Sequence, residues 1–181
     1  MRARTALPRP DQLSAAQRAV YDSIFATRGN VEGPFLAWLH SPEMAGHAEK
    51  LGAFCRYGTG LGRREVEFLI LVTAAHYRCN GEWRIHAPIA LEAGVPAEAV
   101  EAIRAGRDPE FGDPALGALH AFAGALLRTN RVDDATFEAA AGRFGEAILV
   151  EVVGVVGYYG LVAMTLNAFD MDVGEGPPFF D

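Results

Sequence analysis

The chain has 181 residues, half of them apolar and 22% charged, which suits one ordinary globular domain with a buried core rather than a disordered segment. Its net charge of −7 is spread along the chain without a basic stripe, which removes the main electrostatic term of nucleic-acid binding and leaves a small molecule or a protein as the expected partner. Arg2 and Arg4 are followed by no apolar run, so neither a secretory signal nor a membrane anchor is expected at the N-terminus, and the cytoplasm is the expected compartment.

In chain order, Ser14 followed by Gln17 forms a capping-box pattern. Val20, Ile24 and Phe25 then recur at helical spacing up to Gly29, which predicts a helix over 14–28. Ser41 before Pro42 predicts a second start, with Met44, His47, Leu51 and Phe54 inside the helix and Gly58, Gly60 and Gly62 closing it. Residues 63–77 are apolar on nearly every face, as in a buried helix or an oligomer interface, and Glu67 within them needs a partner. A break at Cys79–Gly81 precedes a helix over 82–92, and Pro96 opens a short one reaching Ala105. The polar loop 106–113 then separates off a second half. Asp113–Pro114 starts a helix to about Arg128, Asp133 or Asp134 caps another through Phe144, and Gly145 leads into a long apolar run.

That run, residues 147–169, is long enough to span a bilayer. Glu151 inside it, glycines at 154, 157 and 160, and the lack of a flanking Lys or Arg at its C-terminal end argue for a core helix instead. It aligns without gaps to the earlier apolar helix, 65–77 on 146–158, as a weak internal repeat. The expected architecture is all-α, in a single domain over 1–181 with extended arms at 1–12 and 171–181. Phe179 and Phe180 in the second arm need cover.

Cys55 and Cys79 are the only cysteines, and both are expected as free thiols. If a helix begins at Cys79, then Cys79, Glu82 and His86 fall within about 60° of one face and can share a pocket. A thiol at a helix N-terminus is biased toward thiolate, and a histidine beside it can hold a proton. Against this stands the plainer reading of a cysteine as a small buried hydrophobe and of a lone helical histidine as structural. As metal ligands the three residues are too few and too mixed in softness, so no metal and no cofactor is expected. His40, His47, His76 and His120 lie singly on helices; of these His76 is the strongest candidate for a site role. Trp83 is a core or pocket-wall aromatic, and Arg78 or Arg84 is either surface charge or an anchor for a substrate carboxylate.

The segment LGRREVEFLILVTAAHYRCNGEWRIHAPIALEAGV, residues 61–95, resembles the core motif of the carboxymuconolactone decarboxylase and alkylhydroperoxidase D superfamily. In the alkylhydroperoxidase D branch a glutamate is followed, after eleven residues, by Cys-x-x-Cys and then a histidine. Glu67, Cys79 and His86 match that pattern, but Glu82 stands where the second cysteine would be. A carboxylate cannot resolve a sulfenic acid as a disulfide, so the two-cysteine peroxidase mechanism is not expected. The Glu82–His86 pair, like Tyr158, Tyr159 and Asn167 further on, resembles the decarboxylase-like branches. The resemblance implies an alkylhydroperoxidase D-like helical bundle assembled as a trimer or hexamer, with sites near subunit contacts. It further implies a lyase acting on a small carboxylated lactone or related acid, with His86 as general acid, Glu82 and Glu67 assisting it, and Trp83, Arg78, Arg84 and His76 around the substrate. The alternatives are a peroxiredoxin-type thiol peroxidase using Cys79 with an external thiol, and a non-catalytic ligand-binding oligomer.

Overall fold

The computed structural model describes residues 3–171 and 174–180. Among them a single 3₁₀ turn, Pro10–Gln12, is followed by nine α-helices and no strand. These are α1 (Ala15–Arg28), α2 (Pro34–Trp38), α3 (Pro42–Tyr57), α4 (Arg63–His76), α5 (Asn80–Glu92), α6 (Ala97–Arg104), α7 (Pro114–Thr129), α8 (Asp134–Phe144) and α9 (Glu146–Ala168). The expected arms include residues 1, 2, 172, 173 and 181, which lie outside the described residues.

Local chemistry sets most boundaries. Ser14 and Gln17 close a reciprocal capping box at the start of α1, and Gly29 ends it in the left-handed region at φ 77°. Asp113 and Asp133 accept backbone N–H bonds at the starts of α7 and α8. Ser41 differs from its expected role: it precedes Pro42 but makes no side-chain cap, so proline alone favours that start. The short helix α2 has no counterpart among the predicted elements, because five residues are too few for a periodic pattern to show. It begins with Pro34 at its first turn.

Helix α4 is the axis of the bundle. Its nine consecutive residues Val66–Ala74 are buried, and it packs against α3, α5, α6, α7 and α9. A helix apolar all round can be stable in water only inside such a ring of neighbours. The long α9 is the second core element. By length and composition it could cross a membrane, but half of its most apolar window is buried here against other helices, including α3 and α4. Its remaining apolar side chains, among them Val150, Val153 and Met164, are exposed, as are Leu51, Phe54 and Tyr57 on α3.

Close approach of α3 to α9 depends on Gly52. A Cβ there would overlap the phenol of Tyr158, whose ring is itself fixed edge-on against Trp38 and Tyr159. Gly52→Ala should therefore lower stability by about 1–3 kcal/mol despite the better helix propensity of alanine, a sum that chemical denaturation can read. An unchanged or raised midpoint would show that the two helices are not in tight contact.

Candidate active site

Helix α5 begins at Asn80, not at Cys79. Cys79 is the N-cap residue, with extended backbone angles of φ −85° and ψ 98°, and its side chain closes no capping hydrogen bond. The helical rule of 100° per residue therefore does not reach it, and the expected face of three residues is divided. Glu82 and His86, one turn apart, line a cavity of about 360 Å³ bounded by α1, α2, α3, α5 and α9. Cys79 lines a different cavity, with Asn80, Gly81 and Arg84.

Three buried ionisable groups form a row across α4 and α5. The Nδ1 atom of His86 lies 2.6 Å from Glu67 Oε2, and its Nε2 lies 3.6 Å from Glu82 Oε2. The three side chains are each at least 95% buried. Glu67 does not line the 360 Å³ cavity; it stands behind the imidazole and also lies 4.0 Å from Arg56 Nη2. When Nδ1–H donates to Glu67, Nε2 is left for Glu82 and the cavity, so the ring is fixed in one orientation with its reactive nitrogen forward. Tyr159 of α9 packs edge-on against the imidazole at 5.4 Å.

Burial raises the Glu82 carboxyl above the ordinary glutamate value, and nearby Glu67 adds to that; the charges of His86, Arg56 and Arg28 oppose it. Glu82 Oε2 has no hydrogen-bond partner among the described residues. A carboxyl in this setting favours carrying its proton, and through His86 Nε2 it can exchange that proton with a molecule in the cavity. Burial also pushes the Cys79 thiol up to about 12. The backbone amide of Glu82 opposes this, helped by that of Gly81, and the Glu82 side chain adds to the rise. The helix-terminus effect expected to favour its thiolate is thus outweighed by desolvation. Cys55 is buried too, and its thiol is raised to about 11.

The residues expected around the substrate lie elsewhere. Trp83 is a core residue packed edge-on against Phe180 at 5.4 Å. Arg84 donates to the carbonyls of Glu175, Gly176 and Pro177 and lies over the Phe179 ring, so it holds the C-terminal segment. Arg78, in the left-handed region at φ 51°, and His76 line a third cavity on the far side of α4. The arginines that do line the cavity of His86 are Arg28, at the last turn of α1, and Arg56, at the last turn of α3. Both stand where a basic residue ordinarily complements a helix C-terminus, so nothing in their spacing distinguishes them. Arg28 stacks on Phe35 at 4.7 Å, and its buried Nε and Nη2 atoms have no hydrogen-bond partner among the described residues. Among the described residues no group of three His, Cys, Asp or Glu side chains is arranged to hold a metal ion.

The raised Glu82 carboxyl links stability to pH. A native value above the unfolded reference of 4.5 contributes stability that is complete below that reference and is lost as pH climbs through the native value. Glu82→Gln should remove this component, so denaturant unfolding over a pH series should show wild type losing stability relative to the variant as pH rises. Parallel curves for the two proteins would contradict a raised Glu82.

Residues 42–126 match the model of the carboxymuconolactone decarboxylase family. A peroxidase-related protein from Ralstonia eutropha JMP134, with an alkylhydroperoxidase AhpD core, superposes at a TM-score of 0.78 and 19% identity, covering 96% of this chain and 93% of that one. A peroxidase-related protein from Silicibacter sp. TM1040 gives 0.76 at 15% identity, covering 95% and 92%. The apo debrominase Bmp8 gives 0.73 at 16% identity, covering 93% and 90%. No curated protein sequence matches the chain. At such identities the solved structures show a shared fold, and over residues 42–126 the chain is similar in sequence to the carboxymuconolactone decarboxylase family.

Proposed function

We propose that the protein is a lyase of the carboxymuconolactone decarboxylase type, acting on a small carboxylated lactone or related acid through proton transfer at His86. The observation that carries this reading is the buried row Glu67–His86–Glu82, which presents Nε2 to a cavity that also holds Arg28 and Arg56. In this scheme the substrate carboxylate pairs with a guanidinium at the cavity wall. Its carbon–carbon bond breaks to release carbon dioxide, and the electron pair passes into the conjugated carbonyl as an enolate. The His86 imidazolium then protonates the carbon, and solvent restores the proton through Glu82. Glu67 holds the ring through its contact with Nδ1, so its role is positioning.

The Nε–Nη2 edge of Arg28 supports a carboxylate substrate. It is the edge through which Arg9 and Arg104 each grip a carboxylate in this same protein, and on Arg28 it has no partner among the described residues. A one-cysteine peroxidase would instead need Cys79 as a thiolate close to His86, and burial and the separate cavity both oppose that.

With a carboxylated lactone as substrate, His86→Gln should reduce kcat by about 10²–10⁴, Arg28→Gln should lower kcat/KM by about 10–100-fold mainly through KM, and Cys79→Ser should stay near wild type. Rapid reduction of hydroperoxides by the natural protein, abolished by Cys79→Ser, would replace this assignment with thiol peroxidase chemistry.

The working form is proposed to be a homo-oligomer, trimer or hexamer, because Val150, Val153, Met164, Leu51, Phe54 and Tyr57 leave apolar surface on two adjacent helices. Light scattering at micromolar concentration should report at least a dimer, and Val150→Glu with Val153→Glu should shift it toward monomer. A monomeric natural protein would remove this reading.

A further inference from the structure

On the opposite side of α4 from His86 lies a cavity of about 300 Å³ lined by His76, Arg78, Arg107, Asp108, His120 and Arg128. It is a local reversal of sign in a chain of net charge −7. Arg104, which also lines it, is committed to Glu101 and the Phe179 carbonyl. Arg107 and Arg128 differ, since no ion pair among the described residues engages either of them.

The backbone shows that the position of Arg128 is built. Gly124 is buried one helical turn earlier on α7, and a Cβ added there would lie 2.7 Å from Arg128 Nη1 and 3.3 Å from its Cζ. The guanidinium lies back over bare backbone, into the space any other residue at 124 would fill. His120 is held in turn against the rings of Phe111 and Phe68, at 5.3 and 6.4 Å, and His76 against Tyr77 at 4.9 Å. Burial, aided by the charge of Arg128 and opposed at His120 by Asp108, holds both imidazoles below the ordinary histidine value, so near neutral pH they are neutral and each offers one N–H.

We propose that this cavity is a second ligand site, independent of the His86 cavity, for a tetrahedral oxyanion that still carries one proton, of the hydrogen phosphate type. Two uncommitted guanidinium groups and two imidazole N–H donors match the several acceptor oxygens of such an ion. Asp108, the one carboxylate among the described lining residues, selects among anions. It repels an ion with acceptors only, such as sulfate, but accepts a hydrogen bond from the remaining P–OH of hydrogen phosphate.

Calorimetric titration of the full chain with inorganic phosphate near neutral pH and low ionic strength tests this. The expected result is saturable binding, roughly tenfold tighter than for sulfate, weakened roughly tenfold by Arg107→Gln, Arg128→Gln and Gly124→Ala, and unaltered by His86→Gln. Gly124→Ala removes no charge, so its effect reads the seating of Arg128 itself; if that variant does not fold by circular dichroism, the two arginine variants decide. Methyl phosphate, which near neutral pH has largely lost its P–OH, should be excluded as sulfate is; binding as tight as that of inorganic phosphate would overturn the role given to Asp108. Absence of saturable phosphate binding, equal affinity for sulfate, or a loss caused by His86→Gln but not by Arg128→Gln would overturn the proposal. Because turnover is not measured, failure of the lyase assignment leaves this result untouched.

Discussion

The contact on which the rest of the molecule depends is the 2.6 Å bond between Glu67 on α4 and His86 on α5. An acidic residue in the most buried helix of the bundle is tolerable only with polar partners, because an unpartnered carboxylate in such surroundings is severely disfavoured. His86 meets one oxygen directly and Arg56 of α3 stands 4.0 Å from the other, so three helices are held in register by one charge. Removing either partner would leave Glu67 uncompensated, which makes the pair a constraint on fold and site together rather than a source of net stability. It also fixes which imidazole nitrogen meets the cavity.

The start of α5 is secured from the other side, by the C-terminal segment. Asn80 accepts from the backbone N–H groups of Phe179 and Phe180 and donates to the Phe180 carbonyl, while Arg84 takes three further carbonyls of the segment. Phe180 closes over Trp83. A stretch whose glycines and prolines rule out regular structure is thus tied down by side chains of α5. Residues that looked available for a ligand, Arg84 and Trp83, are used by the chain itself. The same packing buries Cys79 and explains why a thiol at a helix start is not activated there.

The bundle was legible because its signals are local. Capping boxes, Asp–Pro starts and all-round apolar helices follow from short-range chemistry, and the nine helices follow them closely except for α2. Glu67, Glu82 and His86 were legible from motif spacing, since Glu82 and His86 are one turn apart and Glu67 needed a buried partner. Two features were not. Cys79 was placed by helical geometry one residue beyond where the helix begins, and a single residue at a cap changes the direction of a side chain entirely. Arg28 and Arg56 reach the cavity from α1 and α3 through tertiary packing, and helix-end arginines carry no mark of where the helix end will dock.

The distribution of charge carries the same lesson further. The net charge of −7 argues against a nucleic-acid surface, because that requires many cations on one continuous face. It is silent about cavities, where a few side chains dominate the local potential once water is partly excluded. In this fold α4 is the partition. On one side Arg28 and Arg56 stand around Glu82 and the Glu67–His86 pair, the setting of the proposed proton transfer. On the other Arg107 and Arg128 line a cavity with Asp108, His76 and His120, the setting of the proposed anion site. Beyond its first turn α4 carries no Asp, Glu, Lys or Arg other than Glu67, and this apolar stretch keeps the two fields apart, so each cavity can be tuned by the helices on its own side.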